Sequence, residues 1–600
     1  MGINDIGFRG FGFKPSQNEL DAWEVKRHQD SLAMQLNSDG TYTQRAATKA
    51  ELGGYRQHWR AVMLAIAAYF GIILFGYDTG LGGGVVSQQP FLDDMKIHGD
   101  AHHIADVKAN IVSILQGGSF FGALGAAPMN NAIGRKKSLL VGCVIFMVGV
   151  STIFAGHDFI GTNAISVFQG ILQTVGMHLN YQYAGRFLAG VGVGIESSVC
   201  PTYVAELAPA HMRGNITGLF QVCVVIGVAL SYWVNYFTSI SASLKGTTAV
   251  WQIPVAMQLA PLAVMFAILP FIKESPRWLA SKNRNAEALK NLAWVRNMSP
   301  DDSRVQGEFS EIVAAVEEEK AATAGSSWYN EIRLKGNPKR FIIAMLMFVC
   351  QQWSGQNSIN YYAPDIFKSI GITGSSASLL ASGVYGLVKI VATSLFMIFG
   401  VERAGRKKYF FFGALGMGLC LMMIGSIFKS HPPKVPKAGE TLPVPPSGIG
   451  MAVLIYIFVI PYCFSWGGLV WVYISELFNT RTRAYGIAFA NASQWLNNFA
   501  LTRATPLMVV AMPKGGFFFF FFAMNMINAV WSLWIPEPKG LSLESMDIVF
   551  GSTSKEERMA DFDAKHRAQA TVVDGGSISG GSYDGLDEEK YAAEHVERKV

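Results

Sequence analysis

Charge is what this 600-residue sequence has little of: Asp, Glu, Lys and Arg together make up 15%, while half of all residues are apolar. That balance excludes an ordinary soluble enzyme of this length. Cysteine is scarce as well. The six, Cys143, Cys200, Cys223, Cys350, Cys420 and Cys463, fall within apolar stretches at unrelated spacings, which argues against a disulfide framework or a metal site. The sequence lacks a phosphate-cradling glycine loop, metal-ligand spacing and a nucleophile constellation, so neither catalysis nor primary pumping is expected, and no cofactor or metal. Residues 1–58 lack a basic stretch running into an apolar core and cleavage site, so no signal peptide is expected.

What is present is apolar blocks of roughly 20 residues, the length that crosses a ~30 Å hydrocarbon core. Twelve are found, at 59–79, 108–128, 137–157, 181–204, 214–236, 250–272, 340–362, 377–400, 408–428, 450–475, 484–510 and 515–535. They predict an all-α integral membrane protein with the lipid bilayer as its solvent. A polar segment 1–58 precedes two groups of six, 59–272 and 339–535. A polar, partly helical linker, 273–338, joins them, and a tail, 536–600, contains the Gly/Ser-rich "DGGSISGGSYDG", where disorder is the default. Phe517 to Phe522 form a run in the last block, expected to face lipid.

Arg135, Lys136, Lys137, Arg213, Arg403, Arg406, Lys407, Lys408, Arg481 and Arg483 all fall in loops on one side, which predicts that this side, with both termini, is cytoplasmic. The net charge of +6 is then topology and implies no nucleic acid. The opposite loops carry Asp93, Asp94, Asp100 and Asp106, with Lys429, Lys434 and Lys437 as exceptions.

Three polar patterns occur twice. Gly134-Arg135-Lys136-Lys137 recurs as Gly405-Arg406-Lys407-Lys408, Glu206 with Arg213 recurs as Glu476 with Arg483, and "ESPRWL" at Glu274 recurs loosely as "EPKG" at Glu537. The near-constant offset means two homologous halves. Duplicated bundles of this kind place a substrate site between them near the bilayer midplane and work by rocking. The charged residues at helix ends, Arg135, Glu206, Arg213, Glu402, Arg406, Glu476 and Arg483, are expected to pair across the inner seam, weakly enough to part in each cycle.

Together "GRKK", "ELAPAHMRG", "ESPRWL", "QQWSGQNSINYYAP", "VERAGRKK" and "SELFNTRTRAYG" resemble the sugar porter branch of the major facilitator superfamily over about 55–545. Two positions depart from it. Asn131 stands where the first-half motif has Asp, and Pro538 where "PETKG" has Thr. The resemblance implies the major facilitator fold and secondary transport. It assigns sugar contacts to Gln221, Gln351, Gln352, Asn357, Tyr361 and Gln494, with Trp471 as aromatic cover; amides and ring faces suit polyols, which need donors and acceptors together. It also implies that Asp78 and Arg186, ionisable residues inside the first and fourth blocks, form a proton-coupling pair.

Lys389, near the middle of "GVYGLVKIVATSLFMIFG", stands where neutral-sugar porters carry an amide. A charge at mid-membrane faces a cavity or a partner. The phrase "VYGLVKIVATSLF" resembles the fungal quinate-permease and galacturonate-transporter group. The expected cargo is therefore a sugar acid such as galacturonate or quinate, its carboxylate on Lys389, taken up with a proton at the plasma membrane. The alternatives are a neutral hexose or monosaccharide carrier, symporter or facilitator, and a nutrient sensor that transports nothing; for Lys389 the alternative to substrate is a pair with an internal acid such as Glu196.

Overall fold

The computed structural model describes residues 17–18, 21–22, 24–25, 58–154, 179–209, 212–323, 332–372, 374–400, 405–433, 443–478, 482–539, 546–552, 554–557, 559–560 and 563. All regular structure among them is helical. The first half holds α1 (Trp59–Val86), α2 (Ala101–Ile133), α3 (Arg135–Phe154), α4 (Leu179–Leu207), α5 (Arg213–Ile240) and α6 (Ala249–Phe271). Three helices follow in the linker, α7 (Pro276–Ser281), α8 (Asn285–Arg296) and α9 (Ser303–Thr323).

The seventh crossing is broken into α10 (Asn337–Gln352), α11 (Gln356–Tyr361) and α12 (Ala363–Ser369). Then come α13 (Ser375–Phe399), α14 (Arg406–Ser430), a tenth crossing made of α15 (Pro446–Tyr462), a π turn (Cys463–Gly467) and α16 (Leu469–Leu477), then α17 (Arg483–Ala511), α18 (Gly516–Ser532) and a short α19 (Met546–Val549). Among the described residues, eight of these crossings are long and apolar enough to span a bilayer by composition. The eleventh, α17, is more polar because it turns Gln494, Asn498, Thr502 and Thr505 to the protein interior.

Small residues let the helices close. In α2 and α4 the approach is reciprocal: a Cβ on Gly118 would lie 2.1 Å from the Phe187 carbonyl oxygen, and one on Gly190 2.0 Å from that of Leu115. In lipid such backbone-to-backbone packing replaces the hydrophobic drive. Between the halves α2 packs on α17 and α5 on α13. The second crossing thus meets the eleventh and the fifth meets the eighth, the same two positions exchanged, as duplication requires.

The repeated motifs explain themselves at the end of the molecule nearest the linker. Glu274 accepts from the backbone N–H groups of Arg135 (2.9 Å) and Lys136 (3.2 Å), at the start of α3. Glu537 accepts from those of Arg406 (2.9 Å) and Lys407 (3.0 Å), at the start of α14. A carboxylate there satisfies orphan donors and complements the helix dipole. The preceding residue must be glycine: a Cβ on Gly134 or Gly405 would come within 2.4 or 2.5 Å of the glutamate oxygen.

The side chains of the same arginines reach the end of the next helix, Arg135 to Glu206 at 2.7 Å and Arg406 to Glu476 at 2.8 Å. This corrects the expected pairing across the seam. Both bridges lie within one half, because the start of the third helix of each half abuts the end of the fourth. Glu402 and the side chain of Arg213 lie outside the described residues, and Arg483 is exposed.

The phenylalanine run is also corrected. Phe517, Phe518 and Phe521 are buried, and the Phe521 ring presses on Gly355 at the break in the seventh crossing. The linker helices pack around Trp278, Leu279 and Val316, and Arg296 ties them to the end of α4 through the Leu207 carbonyl (2.7 Å).

Removing either capping carboxylate, Glu274→Ala or Glu537→Ala, leaves two enclosed N–H groups without an acceptor and should cost about 2 kcal/mol. The check is the thermal unfolding midpoint in detergent, expected to fall by a similar amount for the two variants; a midpoint equal to the parent's would contradict the clamp.

Candidate functional site

The break between α10 and α11 organises the centre of the second half. Gly355 has φ of 89°, a left-handed conformation that a side chain would strain, and it redirects the chain before Gln356. The loosened backbone is stitched by side chains: Asn525 donates to the Ser354 carbonyl (2.8 Å), and the Ser354 hydroxyl to that of Gln351 (2.8 Å). This is how non-helical backbone is tolerated at membrane depth.

Across the break, Asn357 donates to Gln352, which donates to Gln351 at 3.4 Å. Gln351 is committed elsewhere: its amide donates to the carbonyls of Trp466 (2.6 Å) and Gly467 (3.0 Å) in the π turn. It bolts the seventh crossing to the tenth. Gln352 and Asn357 do come together, with Asn357 the more accessible.

Trp471 stands between Phe348 (centroids 4.9 Å apart) and Phe220 of the other half (5.8 Å). Gln221 follows Phe220 on α5 and faces Gly468, where the tenth crossing resumes after its π turn. Gln494 is buried, and its carbonyl oxygen has no hydrogen-bond partner among the described residues. Tyr361 is buried, its hydroxyl accepting from Asn498 at 2.9 Å. Gln221, Asn357 and Trp471 remain partly exposed.

Arg186 of α4 lies 3.5 Å from Asp78 of α1, both side chains almost fully enclosed. The second oxygen of Asp78 has no partner among the described residues. A buried ion pair with one carboxylate oxygen left without a partner is costly to the fold.

Lys389 is enclosed too, at 4% exposure, and its ammonium donates to Oδ1 of Asn360 at 3.0 Å, with the Tyr462 ring centroid 5.9 Å away. No carboxylate touches it among the described residues. Glu196, the internal acid considered from the sequence, is elsewhere: it lies between Gly71 and Gly142, and its oxygens accept from the thiols of Cys143 (3.4 Å) and Cys200 (3.3 Å). That pairing is overturned. Asn360 escaped notice in the sequence, although it follows Asn357 by one helical turn.

At the end of the molecule away from the linker the halves are tied to each other. Lys108 of α2 meets Asp365 of α12 at 3.4 Å, and Asp106 of α2 meets Arg503 of α17 at 2.5 Å. Lys368 donates to the Ser87 carbonyl at 2.9 Å.

The model of the family described as "Sugar (and other) transporter" matches residues 64–550. The chain belongs to the sugar transporter family. Among its relatives, the quinate permease of Neurospora terricola is 35% identical over 496 residues, covering 82% of this chain and 89% of that one. The probable quinate permease of Aspergillus flavus is 36% identical over 499 residues, covering 82% and 88%. Among solved structures, the xylose transporter XylE from E. coli in a partially occluded inward open conformation has a TM-score of 0.63 at 26% identity, covering 80% of this chain and 98% of that one. The proton:xylose symporter XylE bound to 6-bromo-6-deoxy-D-glucose has a TM-score of 0.64 at 26% identity, covering 81% and 98%. This sugar transporter therefore has the major facilitator fold, with twelve crossings in two six-helix halves.

The ties at the end away from the linker are partly exposed, so each is worth only about 0–1 kcal/mol. Neutralising both, in Asp106→Asn/Asp365→Asn, should raise opening of that end roughly fivefold. The measure is labelling of Thr505→Cys, a buried position, by an impermeant maleimide with the native cysteines replaced; an unchanged rate would show that the ties do not hold the end shut.

Proposed function

We propose that this transporter carries a polyhydroxylated acid, quinate or galacturonate, across the membrane together with a proton, by alternating access. The observation that carries the proposal is Lys389: an enclosed ammonium whose described contacts are a neutral amide and an aromatic face. A carboxylate is the ligand such a group favours, since charge-assisted hydrogen bonds are roughly twice as strong as neutral ones. Gln221, Gln352, Asn357 and the unpartnered Gln494 carbonyl supply donors and acceptors for hydroxyls, and Trp471 covers the apolar face of the ring. The names of the quinate permeases, at 34–36% identity, support the same reading.

Asp78 takes the proton in this scheme. Protonation removes the charge that holds Arg186, so the pair is a two-state element that a proton biases. The likeness to XylE, a proton:xylose symporter, supports that role. The halves 59–272 and 339–535 rock about the site, joined by 273–338. The bridges Arg135–Glu206 and Arg406–Glu476 brace each half so that it moves as a unit, and Arg213, Glu402 and Arg483 complete the gate at the linker end. The basic loops support a cytoplasmic position for that end and for both termini, in a protein of the plasma membrane on this reading. Closed ties at the far end then make this conformation inward-facing.

The second reading is a neutral monosaccharide carrier in which Lys389 serves only to hold Asn360, and the bond between them favours it. Uptake of radiolabelled quinate, galacturonate and glucose by the parent and Lys389→Asn separates the two. The acid reading expects one of the acids to win in the parent and to lose at least ~30-fold in the variant; glucose winning in both, in the same ranking, would establish the neutral carrier. A second variant, Asp78→Asn, should lose protonophore-sensitive accumulation while keeping substrate exchange between equal concentrations. Accumulation that survives in Asp78→Asn would remove the proton from this site.

A further inference from the structure

Asn360 is tied to three other crossings within one residue of itself. Its side-chain oxygen accepts from Lys389 of α13, and its main-chain oxygen accepts from the Tyr232 hydroxyl of α5, in the other half. The next carbonyl, that of Tyr361, lies against α1 so closely that a Cβ on Gly83 would be 1.7 Å from it. Asn360 is 2% exposed, and the helix that carries it, α11, is six residues long and set off by the Gly355 break. Its neighbours are held as well: Gln356 donates to the Tyr385 hydroxyl, and Ser358 and Thr505 share a bond of 2.8 Å.

We infer that Asn360 is a latch on Lys389 that an anionic cargo releases, so that the substrate's carboxylate sets how fast the far end opens as well as how tightly the substrate binds. The inference rests on the acid reading of the site. A ligand shifts a conformational equilibrium only by its differential affinity for the two states. A hydroxyl offers Lys389 a neutral acceptor much like the amide it already has, and so leaves the latch shut. A carboxylate outcompetes the amide. Once Lys389 turns to it, α11 loses one of its two anchors on α13 among the described residues, keeping the bond of Gln356 to Tyr385, and its hold on α5 and α1 is weakened. Asn360 is thus a positioning residue: it acts on the cargo through Lys389.

The test is transport by the full chain in proteoliposomes, with quinate, galacturonate and the methyl ester of each, which removes the charge at the cost of one added methyl group, as probes. The parent should move the better acid with a kcat at least tenfold above that of its ester, a larger gap than in KM. In Asn360→Ala the latch has no acceptor, and the ratio of the two kcat values should fall toward one. Asn360→Asp keeps the shape of the side chain, which guards against misfolding, and gives Lys389 a permanent carboxylate; its acid kcat should fall at least tenfold. If the parent carries acid but both variants keep its acid-to-ester ratio, the latch is wrong and the substrate reading stands. If the parent carries neither acid, both fall.

Discussion

In the hydrocarbon interior no water is at hand, so every backbone group freed from a helix and every ionisable side chain must find its partner within the protein. The irregular features of this transporter follow from that constraint. The break at Trp353–Gly355 and the π turn at Cys463–Gly467 each release carbonyls, and the two are closed against one another by the amide of Gln351. Asn525, reaching from the last crossing, closes the carbonyl of Ser354. The polar residues of the second half are therefore of two kinds: those used up in sustaining the irregular backbone, and those, such as Asn357 and Gln494, with accessible surface or an unpartnered atom.

The molecule also separates what must stay rigid from what must part. At the linker end, each half is clamped by a carboxylate on two helix-terminal N–H groups and by an arginine bridge to the neighbouring helix, all within that half. At the opposite end the ion pairs run between halves and are partly exposed. Charge-assisted bonds in enclosed places hold well, whereas exposed pairs are individually weak. A rocking mechanism needs that distribution: strong bonds inside each moving body and weak ones between bodies.

Much of this was legible in the sequence, because lipid imposes a long, simple pattern. Blocks of apolar residues gave the crossings, and the near-equal offsets between Glu206 and Glu476 and between Gly134 and Gly405 gave the duplication. Asp78 and Arg186 announced themselves as charges where charge is expensive, and the structure joins them. Illegible were features that depend on which face meets which helix. The phenylalanine run reads as lipid-facing from composition alone, yet α18 turns Phe521 onto Gly355, whose missing side chain makes room for the ring. The arginine bridges were misplaced because spacing along the chain does not say whether an end meets its own half or the other. Gln351 and Gln352 are neighbours in sequence with different duties, since the π turn that claims Gln351 lies more than a hundred residues away.

Two of the enclosed cations, Arg186 and Lys389, are treated differently, and the difference bears on how one chain could couple two ligands. Arg186 faces a carboxylate of the protein, whereas Lys389 faces an amide. On the proposed reading a proton is handled in the first half and an anion in the second. Were Lys389 paired with a resident acid, as Arg186 is, a substrate carboxylate would have to displace a full charge, and the exchange would bring no net gain. An amide holds the ammonium loosely enough to be displaced and well enough to keep it from standing alone in a dry interior, where an unpaired charge is costly. The same argument sets Glu196 apart from both. Enclosed by glycines and thiols, with no cation against it among the described residues, it lies in the packing of α1, α3 and α4, and substrate chemistry need not pass through it.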